Sequence, residues 1–310
     1  MFDIIGKRFW YFLISGIVIL SGIIALILFR LSPGIDFKGG TELNISFKQP
    51  VATQQVVDAL AGLGYTGSST VVIHGRGNDY TIDLPDITLD AKQAVLTGLT
   101  TTLGEYTSGR FQSVAPKAAS NTTTNATIAV LISAFFMLLY ISWAFHRMPN
   151  PFRWGVCAIA SLVHDVLVVV GSFAIFSAIF GWQVDLMFIA AVLTVIGYSV
   201  NDTIVIFDRI RENVSRNPGV DFEIVVNKSL VETMSRTLIT GVGTLFTLIA
   251  LVIIVGAPIQ NLIMVLLVGI ITGTYSSIGT AASLLVVWKK GEWGRFLHWS
   301  PMTTAKAKEG

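Results

Sequence analysis

Six long apolar runs divide the chain, at residues 9–29, 126–145, 154–180, 186–207, 237–255 and 262–288. Each approaches the roughly 20 apolar residues that a helix needs to cross a hydrocarbon core. The pattern therefore predicts six transmembrane helices. The first run follows Lys7 and Arg8, as a signal peptide would. Its apolar stretch exceeds the usual core of about 7–15 residues and no small-residue cleavage pattern follows, so it reads as a retained anchor.

Between the first two runs the periodicity changes. Residues 43–47 alternate like a strand and 53–63 have helical spacing; 69–73 and 80–84 read as strands, 89–103 as a second helix and 111–114 as a closing strand. This β-α-β-β-α-β order is that of a split βαβ, ferredoxin-like unit. Residues 120–127, rich in Ser, Thr and Asn, read as a flexible joint into the second span. The Asn-x-Ser/Thr triplets there imply glycosylation only in a pathway that performs it. The expected fold class is an α-helical polytopic membrane protein with an α+β ferredoxin-like domain between its first two helices. Its expected divisions are a terminus at 1–8, helix 1 at 9–29, the domain and linker at 30–125, helices 2–6 at 126–288 and a tail at 289–310.

Composition agrees with solvation by lipid. The 310 residues are 53% hydrophobic and 13% charged, against roughly 25% charged in soluble domains. A net charge of +2 gives no argument for nucleic acid. Its distribution says more. Lys7 and Arg8 precede the first span; His146, Arg147 and Arg153 bracket the turn between the second and third. Arg209, Arg211, Arg216, Lys228 and Arg236 lie between the fourth and fifth, and Lys289, Lys290, Arg295, Lys306 and Lys308 follow the sixth. The turns at 181–185 and 256–261 contain no Lys or Arg. By the positive-inside rule both termini are cytoplasmic and residues 30–125 lie outside the cytoplasmic membrane. Cys157, the single cysteine, sits in an apolar run and reads as a small core residue.

Charges inside the spans are the expensive features, at about 2.5–3.5 kcal/mol each on insertion scales. Asp165 falls near the middle of span 3 beside His164, and Asp202 lies on span 4. Arg236 opens span 5, where a long side chain can extend inward toward the level of Asp202. Around them, Thr194, Tyr198, Asn201, Val205 and Asp208 form a mostly polar stripe on span 4, with Asp202 at its edge. Arg236, Thr240, Gly243, Thr244 and Thr247 form another on span 5, and Gly269, Gly273, Ser276 and Thr280 give span 6 a small-residue face. These faces read as a bundle interior with room for water.

Two opposing effects act on a buried carboxyl: lost hydration favours its neutral form, and a nearby guanidinium favours its charged form. A movement that changes the distance between the two groups would switch the proton on or off. One charge moved through the membrane field contributes about 2.3 kcal/mol per 100 mV, enough to bias a two-state rearrangement. From position alone, a snorkelling Arg236 and purely structural polar contacts for Asp202, Asp165 and His164 stay open. No cluster has metal-ligand spacing, and a P-loop, an HExxH helix and a nucleophile elbow are missing, which argues against an enzyme. His74 reads as a solvated turn residue.

Three strings go further. GIDFKGGTEL at 34–43, VIGYSVNDTIVIFDRIREN at 195–213 and SRTLITGVGTL at 235–245 resemble the signatures of the SecD/SecF family, within the resistance–nodulation–division (RND) superfamily. The second is very similar to the fourth span of its SecF members. SLVHD at 161–165 and GTYSSI at 273–278 also fit, so the resemblance covers nearly the whole chain. It implies an RND-like subunit of the Sec accessory complex in the bacterial cytoplasmic membrane. Such subunits pair with SecD, often with YajC, and act with the SecYEG channel on translocating unfolded polypeptide. The proton motive force drives late steps of export, without nucleotide or cofactor. The family's functional acid falls on Asp202 and its basic partner on Arg236; Asp165 and His164 are added to the expected proton pathway for their own position inside span 3. Asn201, Tyr198 and Thr240 supply a supporting polar face, and Gly34, Asp36, Gly39 and Gly40 the signature turn after helix 1. The chain departs from the family pattern at Ala115, where Gly is usual, and at Gly279 and Thr280, where bulkier residues are. The alternatives are half of an RND-type proton-coupled exporter of lipids or small molecules, and a passive assembly scaffold.

Overall fold

The structure, a computed structural model, describes residues 2–66, 72–76, 78–255 and 259–296. After a 3-10 turn at Ile5–Lys7, the elements in chain order are α1 (Arg8–Phe29), α2 (Ile35–Lys38), β1 (Gly40–Phe47), α3 (Thr53–Gly62), β2 (Val72–Arg76), β3 (Asp79–Leu84), α4 (Leu89–Leu103) and β4 (Tyr106–Val114). There follow α5 (Pro116–Ala144), α6 (Pro151–Phe180), α7 (Leu186–Arg216), α8 (Phe222–Val255), α9 (Gln260–Ser276) and α10 (Ala282–Lys290). A π-helical turn at Ser277–Ala281 joins the last two into one span. Among the described residues six helices are long and apolar enough to cross a membrane: α1, α5, α6, α7, α8 and the joined α9–α10.

Two compact units emerge. One comprises the chain up to Ser21, Ser133–Val169, and Thr194 onward; the other comprises Gly22–Ile132 and Val170–Leu193. The second unit contains the α+β domain, whose four strands are all antiparallel in the order β2-β3-β1-β4. That is the ferredoxin-like arrangement expected. Alternation along β1 buries Leu43, Ile45 and Phe47, which pack with Ile82 of β3, Leu60 of α3 and Leu99 of α4. The expected strand at 69–73 is observed as β2, and residues 69–71 lie outside the described ones. His74 is in β2, paired with Thr81, rather than in a turn.

One expectation about the helices is corrected. Residues 120–127 are not a flexible joint, because α5 runs through them from Pro116. The threonines turn inward: Thr122, Thr123, Thr124 and Thr127 each donate to the carbonyl four residues earlier, so their hydroxyls ride on the helix instead of competing with it. Arg236 borders the apolar run of span 5, and the helix itself begins earlier, so that Arg236 lies fourteen residues after the start of α8, about 21 Å along the axis. The early part of α8 is tied to the end of α7 by Arg209–Glu232 at 2.7 Å and Asn213–Ser229 at 2.9 Å. Those pairs extend both helices beyond their apolar stretches.

In the first unit, Phe145 stacks on Trp154 at 5.3 Å, and Phe207 meets Trp154 edge-on at 5.2 Å. Arg8 is not a free flanking charge: it is buried, paired with Glu223 at 2.6 Å and Glu292 at 2.7 Å. The expected small-residue face of span 6 lies against span 4. An added Cβ would stand 2.1 Å from Val195 at Gly269 and 3.1 Å from Ser199 at Gly273. Such backbone approach is the packing that glycine permits in membranes. The departure at Gly279 has a local reason too, since a Cβ there would stand 3.2 Å from the Tyr11 ring of α1.

Candidate functional site

Small residues on span 6 let span 4 come close, and close packing brings polar atoms of spans 3, 4 and 6 together. Asp165 of α6 sits at this junction, 1% exposed. Its Oδ2 accepts hydrogen bonds from Ser199 of α7 at 2.5 Å and Ser276 of α9 at 2.7 Å. Its Oδ1 is 3.0 Å from Nδ1 of His164. Three partners thus surround one carboxyl, and they come from three spans. His164 is itself buried, and its Nε2 has no partner among the described residues.

A second polar contact lies one turn further along α7. Thr203 and Ser277 hydroxyls meet at 2.9 Å, and Ser277 donates to the Ser199 carbonyl at 3.3 Å. Ser277 begins the π-helical turn, where the regular hydrogen-bond ladder is widened. Such turns are frequent at functional sites.

Asp202 is next to Thr203 on α7 and contrasts with Asp165. It is 3% exposed, yet its Oδ2 has no hydrogen-bond partner among the described residues. Arg236 is the cation whose field reaches it, and the two do not come within ion-pair distance. The hydroxyls of Tyr198, Thr237 and Thr274 are also buried and unsatisfied. Tyr198 and Thr274 face one another beside Gly241, where a Cβ would lie 3.4 Å and 3.1 Å from their oxygens. An unsatisfied polar atom within a span costs several kcal/mol. The unused Asp202 oxygen marks a place suited to a proton or another polar guest.

The supporting polar face is placed differently from the expectation. Asn201 and Thr240 are exposed, as are most residues of both stripes, and Tyr198 is half-buried. Asp202 points to the inside of the chain, while the stripe beside it faces outward. The signature turn lies in the other unit. Gly39 and Gly40 both have positive φ, 75° and 122°, a conformation glycine adopts freely. Cβ atoms there would fall 2.9 Å from Pro116 Cα and 2.6 Å from the Leu84 carbonyl. Sequence reasoning does not single out Ser199 as a site residue, and marks Ser276 only as a packing residue. Hydroxyls are too common in spans to stand out, although both residues lie inside the strings that carry the family resemblance.

Apolar helices with charged side chains set among them, in a chain that also folds a ferredoxin-like domain, define a polytopic membrane protein that keeps ionisable groups inside its spans. The chain belongs to the SecD/SecF family of protein-export membrane proteins. The family model for the SecD/SecF C-terminal region matches residues 94–291, and that for the SecD/SecF GG motif matches residues 24–51. The chain is 40% identical over 308 residues to a protein translocase subunit SecF of Thermobaculum terrenum, covering 96% of this chain and 97% of that one. It is 34% identical to a protein translocase subunit SecDF of Bacillus subtilis, covering 94% of this chain and 38% of that one. The crystal structure of SecDF from Thermus thermophilus, a translocon-associated membrane protein, superposes with a TM-score of 0.82 at 28% identity. That match covers 93% of this chain and 39% of the SecDF chain, so this chain spans about two fifths of the fused protein's length. Its role is in protein translocation.

Proposed function

We propose that the chain is a proton-carrying subunit of the Sec export machinery, in which Asp202 takes up and releases the proton and Arg236 sets when it does so. The observation that carries this is the buried Asp202 carboxyl with an unused oxygen, inside a span, within the field of one arginine. An ionisable residue in a membrane span is functional by default. Asp165 and His164 complete the pathway. Within it we divide the labour by hydrogen bonding: Asp165, held by three partners, fixes where spans 3, 4 and 6 stand, and Asp202 changes charge.

The orientation follows the distribution of Lys and Arg, with both termini cytoplasmic and the α+β domain outside. The partner follows from the outward polar stripes. Arg236 and Asn201 are exposed on the surface of this chain at membrane depth, where lipid would leave them unsatisfied, and Thr240 and Thr247, whose hydroxyls bond to carbonyls of their own helix, are exposed on α8 with Arg236. A SecD-like chain covers them. The Bacillus subtilis relative is a SecDF subunit, both halves in one chain by its name, consistent with that contact. The SecYEG channel, the translocating unfolded polypeptide and YajC complete the assembly, at the inner membrane.

The test is precursor export in cells that lack the endogenous subunit, comparing wild type with Asp202→Asn and Arg236→Met. Both variants should assemble with the partner and lose the gradient-driven part of export. Full gradient-driven export by Asp202→Asn would remove the assignment.

A further inference from the structure

The signature turn after α1 is joined to a segment about 150 residues away in sequence, the turn between α6 and α7. Gly34 N–H donates to the Val184 carbonyl at 2.8 Å, Val184 N–H donates to the Ser32 carbonyl at 2.8 Å, and Pro33 pairs with Val184 as a parallel bridge. Asp36 then reaches across to accept from the Leu186 N–H at 3.0 Å. Leu186 is the first residue of α7, and Asp185 accepts from Phe188 N–H at 2.7 Å. Two carboxylates, one local and one distant in sequence, therefore satisfy the opening turn of the helix that carries Asp202.

A third connection runs to the sheet. Asp83, near the end of β3, is 2% exposed although it lies on the face opposite the domain core. It is covered by Lys38, paired at 2.7 Å, and by the Gln183 amide, which donates to the same carboxylate oxygen. The α6–α7 turn is itself held stiffly by rings: Trp182 stacks on Phe180 at 5.0 Å, and Phe173 lies 4.4 Å from Phe188. Gly39 against Pro116 and Gly40 against Leu84 bring the start of α5 and the end of β3 to the same base.

We propose that these two turns form one clamp that fastens the base of the α+β domain to the first turn of α7, with Asp36, Asp83 and Gln183 as its positioning residues. The clamp deepens the proton reading and rests on it. Asp202 lies sixteen residues beyond Leu186 on the same continuous helix. A shift of α7 caused by a change of charge at Asp202 is delivered to the domain through the clamp. The Gly34, Asp36, Gly39 and Gly40 signature thereby acquires a mechanical role, in which the glycines allow the close approach and the aspartate makes the attachment.

The test uses the whole complex in membranes and measures export with and without an imposed proton gradient, alongside copurification of the partner. Asp36→Ala should lower the gradient-driven part about tenfold, the factor of one lost charge-assisted hydrogen bond. Asp36→Asn, which keeps an acceptor oxygen, should retain most of it. A Cβ built on Gly34 stands 3.6 Å from Gln183 Cβ, within the disulfide range of about 3.5–4.5 Å. Adding Gly34→Cys and Gln183→Cys to Asp36→Ala should therefore restore gradient-driven export on oxidation and lose it again on reduction. Wild-type behaviour of Asp36→Ala, or a formed cross-link without recovery, would overturn the clamp while the proton reading stands. A wild type no more responsive to the gradient than Asp202→Asn would overturn both.

Discussion

Ser276 donates a 2.7 Å hydrogen bond to Asp165 from the last residue of α9, immediately before the π-helical turn. Together with Ser199 on α7 it binds three spans through one carboxyl. Removing one hydroxyl takes away one donor of several, whereas removing the carboxyl strands three polar groups. Ser276→Ala and Ser199→Ala should each lower the stability of the purified chain by about 1 kcal/mol. Asp165→Ala should cost about 3–5 kcal/mol, as breaking a buried polar network does. Thermal unfolding in detergent reads all three. The two serine variants combined should depart from additivity, because they share an acceptor.

Gly269 and Val195 make a second point of contact between the same helices. A methyl at Gly269 overlaps the Val195 side chain, with 2.1 Å between carbon atoms. Gly269→Ala should destabilise the bundle by about 1–3 kcal/mol through overpacking. Val195→Ala should recover most of that loss in the double variant. Failure of the suppressor, measured by the same unfolding experiment, would show that the seam is looser than described.

The α+β domain should respond to pH through Glu42. Burial raises the affinity of this carboxyl for its proton, the Asn44 amide opposes the shift, and the charges of Asp83, Asp36 and Asp185 add to it. Asp185 is raised in the same direction, by burial first, with Asp36 adding to it. Lys38, paired with Asp83, is the cation beside this group, and Gln112 faces Glu42 from β4. A carboxyl that binds its proton more tightly when folded makes the folded form gain stability as pH falls from neutral toward the ordinary carboxyl range. Hydrogen exchange of the β1 amides should therefore slow between about pH 7.5 and about pH 5, after correction for intrinsic rates. Glu42→Gln should flatten that dependence.

The outward stripes on α7 and α8 should matter for assembly and not for folding of the chain itself. Asn201→Trp with Thr240→Trp fills an exposed polar surface on which Gly197 and Gly243 have open space around them. Copurification of a SecD-like partner should fall at least tenfold while the purified chain unfolds at an unchanged temperature. Phe246, 68% exposed on α8, lies among apolar neighbours, and Phe246→Leu should leave copurification intact.

Much of this architecture was legible in the chain because lipid imposes a simple rule. Helices must be long and apolar, so their number and near boundaries follow from counting, and alternation at Leu43, Ile45 and Phe47 announced the sheet. The costly residues also announced themselves, since Asp165 and Asp202 interrupt apolar runs and Arg236 borders one. Direction was not legible. Asp202 and Asn201 are neighbours in the chain, yet one faces the bundle and the other its surface. The lengths of α7 and α8 beyond the apolar stretch carry no local signal, because side-chain pairs such as Asn213 with Ser229 support them. The clamp was invisible for a related reason: Asp36 and Leu186, or Asp83 and Gln183, are linked only by the fold, and no local pattern signals a partner 100 residues away or more.

The measurement closest to the central claim is infrared difference spectroscopy of the complex in vesicles as the external pH is lowered. A carboxylic-acid carbonyl band should appear in the wild type, move in Arg236→Met and be missing in Asp202→Asn. The same difference spectrum from wild type and Asp202→Asn would mean that this carboxyl does not change its proton, and that something else drives the chain.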